Sequence, residues 1–180
     1  METAFGDLSA WQAMLDRHAE LFSEMSAGSR VGFVSRAGSG INPGKHVAGL
    51  MAASGAGDMM AWERQETGMR TSLEGYAGFQ EARVDLLFVA EDDALATMRE
   101  ALHGEALGII KRLIRKGGIM FYVMKNKYQL QDAGYEEFLE SLGWRFSEPA
   151  GDLPESQRRP RARLRPLRLP LVRPHGEHLL

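Results

Sequence analysis

Two short apolar runs constrain this chain more than any other feature: residues 84–90 (VDLLFVA) and 119–124 (IMFYVM). A strand that is apolar at successive positions buries both faces, which is the habit of interior strands in a parallel sheet. The segment between them has a helical layout. Asp92 and Asp93 open it at the positive end of a helix dipole, while Lys111, Arg112, Arg115 and Lys116 close it at the negative end. Gly104 is a break point within it, and Gly117 with Gly118 is its stop. Strand, helix, strand is the βαβ grammar.

The rest of the chain extends that grammar. Residues 9–26 space Trp11, Met14, Leu15, His18, Phe22 and Met25 as one apolar stripe, which predicts an amphipathic helix with Ser9 as its N-cap. Residues 30–36 (RVGFVSR) predict a short strand. The turn-rich stretch 37–44 follows, and residues 45–54 predict a helix packed through Val47, Leu50 and Met51. Residues 58–63 (DMMAWE) fit either a buried strand or a helix start. Residues 66–80, with Gly68, Gly75 and Gly78, read as irregular or weakly helical. Residues 135–142 predict a helix capped by Gly143, and 144–146 a last strand. The expected fold class is therefore α/β: a mostly parallel sheet with helices on both faces, in three layers.

Charge divides the chain. From Pro154 onward seven arginines face only Glu155 and Glu177, a net of +5, so residues 1–153 hold −7 of the total −2. We expect one α/β domain over 1–153 and a disordered Arg/Pro-rich tail over 154–180, since prolines and charges cannot build a core. The tail suits an anionic partner. It has no aromatic residue to stack on bases, so nucleic acid is not the expected one. The same composition also arises from out-of-frame reading of a GC-rich gene.

The chain has no cysteine, which removes disulfides, thiolate catalysis and Cys-ligated metal sites. No apolar run reaches the ~20 residues that span a bilayer, and residues 1–7 carry acids without Lys or Arg. A cytoplasmic protein without membrane contact is expected. No metal site is expected either, because His, Asp and Glu show no ligand spacing.

The strongest candidate for chemistry is the loop between the first strand and its helix, with Gly38, Ser39, Gly40, Gly44 and Lys45. Backbone N–H groups at such a turn can hold an anion. The pattern is neither a P-loop nor a complete dinucleotide fingerprint, and a plain glycine-rich turn is the commoner outcome. Glu63 lies 23 residues beyond Gly40, the spacing of an acid that would hold a ribose. His46, beside the loop, is the one histidine placed for acid–base work. Glu91, Asp92 and Asp93 more often cap a helix than bind a ligand. No catalytic residue and no cofactor can be assigned from these patterns.

Three segments resemble the DsrE-like family of sulfur-relay proteins. Residues 31–53 look like its first strand, Gly/Pro loop and Ala-rich helix. Residues 84–95 look like its strand running into an acidic segment, and 113–144 like its helix, glycine, strand, polar loop and terminal helix. The resemblance implies a small homo-oligomer. Relay members place a cysteine just after the penultimate strand, where Met124 and its neighbours stand here, and a thioether cannot form a persulfide. The resemblance thus implies a binding or assembly role. Two other readings stay open. One is a nucleotide- or S-adenosylmethionine-dependent transferase of Rossmann type, suggested by Gly40, Glu63 and the "helix, Gly-Gly, strand" layout of residues 112–123. The other is an interaction protein with no small ligand.

Overall fold

Residues 86–90 are buried at every position, and the sheet is built around them. The structure is a computed structural model that describes residues 3–41, 55 and 57–145. Its five strands are β1 (Arg30–Ser35), β2 (Asp58–Gln65), β3 (Gly68–Gly75), β4 (Leu86–Ala90) and β5 (Ile119–Val123), arranged in the order β3-β2-β1-β4-β5. Strand β4 lies between β1 and β5, as its apolar sequence predicts.

The direction of the strands is not as expected. Only β1 and β4 run parallel, with Val31 opposite Leu86 and Ser35 opposite Ala90. The other three pairings are antiparallel, so the sheet is mixed and mostly antiparallel. Burial on two faces marks a strand as interior but carries no information on its direction. Residues 119–124 correct the expectation further, because β5 is an edge strand. Of its five residues only Ile119 is buried, and the others are half-covered.

Strand β3 replaces the irregular segment expected over 66–80. Gln65 pairs with Gly68 across a two-residue link, Glu66 and Thr67, which can only return the chain antiparallel. Gly68 takes a positive φ of 138° at that return. Met69 and Leu73 pack inward while Arg70 and Ser72 face solvent, a period of two that the flanking glycines obscure.

The helices are α1 (Leu8–Arg17), α2 (Arg36–Ser39), α3 (Asp92–Ala101), α4 (Ala106–Lys116), α5 (Lys127–Asp132) and α6 (Glu136–Ser141). The N-cap of α1 is Asp7, not Ser9: Asp7 Oδ1 accepts from the Ser9 amide at 2.9 Å and Oδ2 from its hydroxyl at 2.6 Å. The expected helix over 9–26 stops at Arg17 and resumes only as a 3-10 turn, Ala19–Phe22. Helices α3 and α4 divide where Gly104 suggested, and Gly117 ends α4 at a φ of 84°. Helix α5 lies in the expected polar loop. A reciprocal cap starts it, with Asn126 and Gln129 exchanging side-chain to backbone bonds of 2.8 and 3.0 Å.

All of these helices except α2 feed one apolar cluster, together with Val31, Phe33, Met60, Trp62, Leu86 and Phe88 from one face of the sheet. Its centre is aromatic. Phe33 lies 4.5 Å from Trp62 and 4.6 Å from Phe88 between ring centroids. The opposite face carries a second buried cluster of Val34, Met59, Ala61, Leu87 and Val89 with Ile41, Tyr76, Ala82 and Val84, to which none of those five helices contributes. The helix expected over 45–54 lies outside the described residues, as does the tail. Trp144 and Arg145 are not in a strand, and Phe146 lies outside the described residues. No described helix is long and apolar enough to cross a membrane.

Candidate functional site

The carboxyl edge of the parallel pair β1 and β4 is where a ligand would sit in an open α/β sheet, and the glycine loop begins there. Ser35 ends β1, and its hydroxyl accepts from the Gly38 amide at 3.1 Å, which starts the single turn α2. Ser39 is fully buried. Its hydroxyl donates to the Arg36 carbonyl at 2.9 Å and accepts from the Ile41 amide at 3.1 Å, so its hydrogen-bonding capacity is used within the loop. Gly40 closes the turn at a φ of 66°, the left-handed conformation that glycine adopts without strain. One turn of helix supplies little dipole. Gly44, Lys45 and His46 lie outside the described residues.

Acidic residues meet the loop from β4. Glu91 occupies the N-cap position of α3 without capping it, and its carboxylate instead pairs with the guanidinium of Arg36. Asp92 and Asp93 fill the first turn of α3. Among the described residues this edge therefore presents an arginine already paired with a glutamate, followed by two exposed aspartates at the start of α3.

Glu63 is not part of this arrangement. It lies opposite Arg30 at the start of β1, whereas Gly38 to Gly40 follow the end of that strand. Five strand steps separate the two, about 17 Å at 3.3 Å per residue. The cause is strand direction. A parallel second strand would bring the acid to the glycine end, but β2 runs antiparallel and brings exposed Asp58 there instead. The structure gathers Gly38, Ser39 and Gly40 and leaves Glu63 apart.

The opposite edge holds a polar cluster that the sequence reading missed. Asp85 is 7% exposed. Its Oδ2 accepts from the Tyr135 hydroxyl at 2.5 Å and from the Arg30 amide at 3.1 Å, while Lys125 Nζ approaches Oδ1 at 2.9 Å. Arg30 extends the network through Glu74 at 2.6 Å and Glu63 at 3.5 Å. Tyr135 is fully buried, and burial first, then the bond to Asp85, pushes its phenol well above the usual range. A neutral, enclosed hydroxyl donating to a carboxylate is a latch between β1, β4 and the α5–α6 junction, and it has no route to a substrate. The signal was visible as an aspartate set inside the run VDLLFVA.

Two open depressions lie on the helical side. One, of about 400 Å³, is bounded by Phe5, Asp7, Ala96, Arg99 and Glu100. The other, of about 530 Å³, lies among Asp16, Arg17, His18, Glu20 and Glu137. Neither contains a residue singled out as a ligand contact. Among the described residues no three His, Asp or Glu side chains converge as a cation site.

No family model and no curated protein matches the chain. Among solved structures it is similar to Sterol Carrier Protein 2 from Yarrowia lipolytica in the apo form. Identity is 13%, over 67% of this chain and 79% of that one, with a TM-score of 0.28. A superposition that loose carries no inference about fold, ligand or activity.

Proposed function

We propose that this chain is a binding or assembly protein that performs no sulfur transfer, as a cysteine-less member of the DsrE-like group would be, and that it works in the cytoplasm. One observation carries the choice of binding over nucleotide chemistry. Among the described residues at the carboxyl edge of β1 and β4, the cation Arg36 is held by Glu91, and Asp92 and Asp93 fill the first turn of the helix that follows. Glu63, which the transferase reading needs at that edge, pairs with Arg30 at the other end of β1. Without any cysteine the chain has no thiol on which a persulfide could form. Self-association into a small homo-oligomer belongs to the same reading, and the arginines of the tail offer an anionic partner a further contact.

Native mass spectrometry of the purified protein, with calorimetric titration of S-adenosylmethionine and nucleotides, tests the proposal. The expected result is an oligomer mass without retained cofactor and no heat of binding. Tight binding of S-adenosylmethionine that is lost on Gly40→Val would overturn it in favour of the transferase.

A further inference from the structure

The two edges of the sheet are finished differently. Along β3, the side chain of Gln12 reaches across from α1. Its Nε2 donates to the Met69 carbonyl at 2.9 Å and its Oε1 accepts from the Thr71 amide at 3.0 Å. One side-chain amide thus stands in for a neighbouring strand and blunts the edge there.

Among the described residues strand β5 has no such hydrogen-bonded cover. Hydrogen bonds from the Met124 amide to Asp85 and from the Glu91 amide to Gly118, both 2.9 Å, set the parity of the β4–β5 ladder. Gly118, Met120, Tyr122 and Met124 therefore face β4, and the peptide groups of Ile119, Phe121 and Val123 point away from the sheet. Among the described residues those outward groups meet no hydrogen-bond partner. The side chains match this picture. Phe121 and Val123 lie half-buried at the rim of the helical-face cluster, and Met120 and Tyr122 at the rim of the other. Among the described residues Trp144 packs on Phe121 and Phe79 on Tyr122, each with ring centroids 5.4 Å apart, and both apolar layers reach this strand only half-buried.

Charge specifies what would lie there. Residues 111–127 carry six cations (Lys111, Arg112, Arg115, Lys116, Lys125 and Lys127) and no acid, in a body whose net charge is −7 over residues 1–153. Arg115 and Lys116 are exposed just before β5 and Lys127 just after it, while Lys125 is engaged with Asp85. A second copy pairing antiparallel about Phe121 would bring the Arg115–Lys116 end of one copy towards the Lys127 end of the other, and such like charges repel. A phosphate backbone would be drawn by the cations. Its oxygens only accept, so it would leave the outward carbonyls of β5 without donors.

We propose that the open edge of β5 docks an extended acidic segment of a partner protein as a sixth strand. Its alternate apolar side chains continue the two apolar layers, and carboxylates at its ends meet Arg115 and Lys116 on one side and Lys127 on the other. This mode, strand addition, takes affinity from main-chain bonds and specificity from flanking side chains. The inference rests on the binding role proposed above and names the chemistry of the partner.

The probe is a dye-labelled peptide of alternating valine and threonine with glutamates at both ends, followed by fluorescence anisotropy with the full chain. A second peptide carries methyl groups on alternate backbone amides. Saturable binding is expected, and it should vanish with the methylated peptide. Raising salt should weaken it, as should the Lys116→Glu, Lys127→Glu double variant, by about tenfold or more. Val123→Pro removes one outward N–H and no ladder bond, and should abolish binding; the charge reversal keeps the test decisive if that variant unfolds. Equal binding of both peptides would refute the proposal, as would no saturation at millimolar peptide. So would an oligothymidine that binds in the peptide's place, or a homodimer that forms through the same edge. None of these results bears on whether the protein retains S-adenosylmethionine or a nucleotide, so the two proposals fail separately.

Discussion

Replacing Tyr135 by phenylalanine removes one hydroxyl while leaving the ring in place, so it isolates the latch at the start of β1 and β4. The hydroxyl is fully buried and donates at 2.5 Å to a carboxylate that is itself 7% exposed. Hydrogen bonds to charged groups contribute about 1.5–3 kcal/mol. The carboxylate keeps the Arg30 amide at 3.1 Å and Lys125 at 2.9 Å, so it is not stranded. The expected loss is therefore about 2 kcal/mol, in the middle of that range. Asp85→Ala should cost more, about 3 kcal/mol, because it leaves the Arg30 amide and Lys125 without their acceptor and the phenol with only the Arg30 carbonyl at 3.3 Å. In the double variant the shared bond is counted once, and a coupling of about 1.5 kcal/mol should appear. Urea unfolding with linear extrapolation measures all four corners, provided the slopes agree. Alkaline pH supplies an independent arm. The phenol pKa is raised in the folded state, first by burial and then by Asp85, so the neutral form is favoured by folding. That stabilisation is fully present below the unfolded value of about 10 and is lost as pH climbs above it. Wild type should thus lose stability above about pH 10 more steeply than Tyr135→Phe. A loss under about 0.5 kcal/mol for Tyr135→Phe, strict additivity in the cycle, or identical alkaline profiles would refute the latch.

Two further outcomes follow from the backbone and from the closed edge. Gly134 has a φ of 77°, and a Cβ there would stand 1.8 Å from the Glu24 carbonyl oxygen, whereas Gly117, at 84°, has nothing within 4 Å. Gly134→Ala should therefore cost about 3 kcal/mol or more and Gly117→Ala about 1 kcal/mol; equal urea midpoints would disprove the close approach. Gln12→Ala deletes both bonds to β3 and should cost about 1–2 kcal/mol. Hydrogen exchange at Thr71 should accelerate, and unchanged protection there would show that the clasp is idle.

Legibility varied with the kind of information each segment carries. Residues 84–90 could be recognised as an interior strand because burial on both faces leaves a mark on every position. The break between α3 and α4 and the stop at Gly117 were equally plain, since glycine marks are local. Strand β3 was hidden because Gly68 and Gly75 flank a strand whose outer face is polar. Helix α5 had a readable signal in Asn126 and Gln129, three positions apart, but it is only six residues long. The candidate loop was legible as a turn; its partner Glu63 was chosen on spacing alone, and spacing presumes a parallel second strand.

The amino-acid sequence by itself determined the absence of thiol chemistry, the position of β4, the break and stop of the helical stretch before β5, and the concentration of cations between 111 and 127. Each is a property of composition or of one segment. Strand direction, the edge position of β5, the clasp of Gln12 on β3 and the meeting of Asp85 with Tyr135 belong to the tertiary structure. Periodicity reports how much of a segment is buried, but not which segment covers it. Asp85 and Tyr135 lie 50 positions apart in the chain, and Gln12 and Thr71 lie 59 apart. Only the way the sheet is ordered brings such residues within a hydrogen bond. The same ordering leaves the apolar run 119–123 at an edge rather than in the middle, because no strand follows β5 to cover it among the described residues.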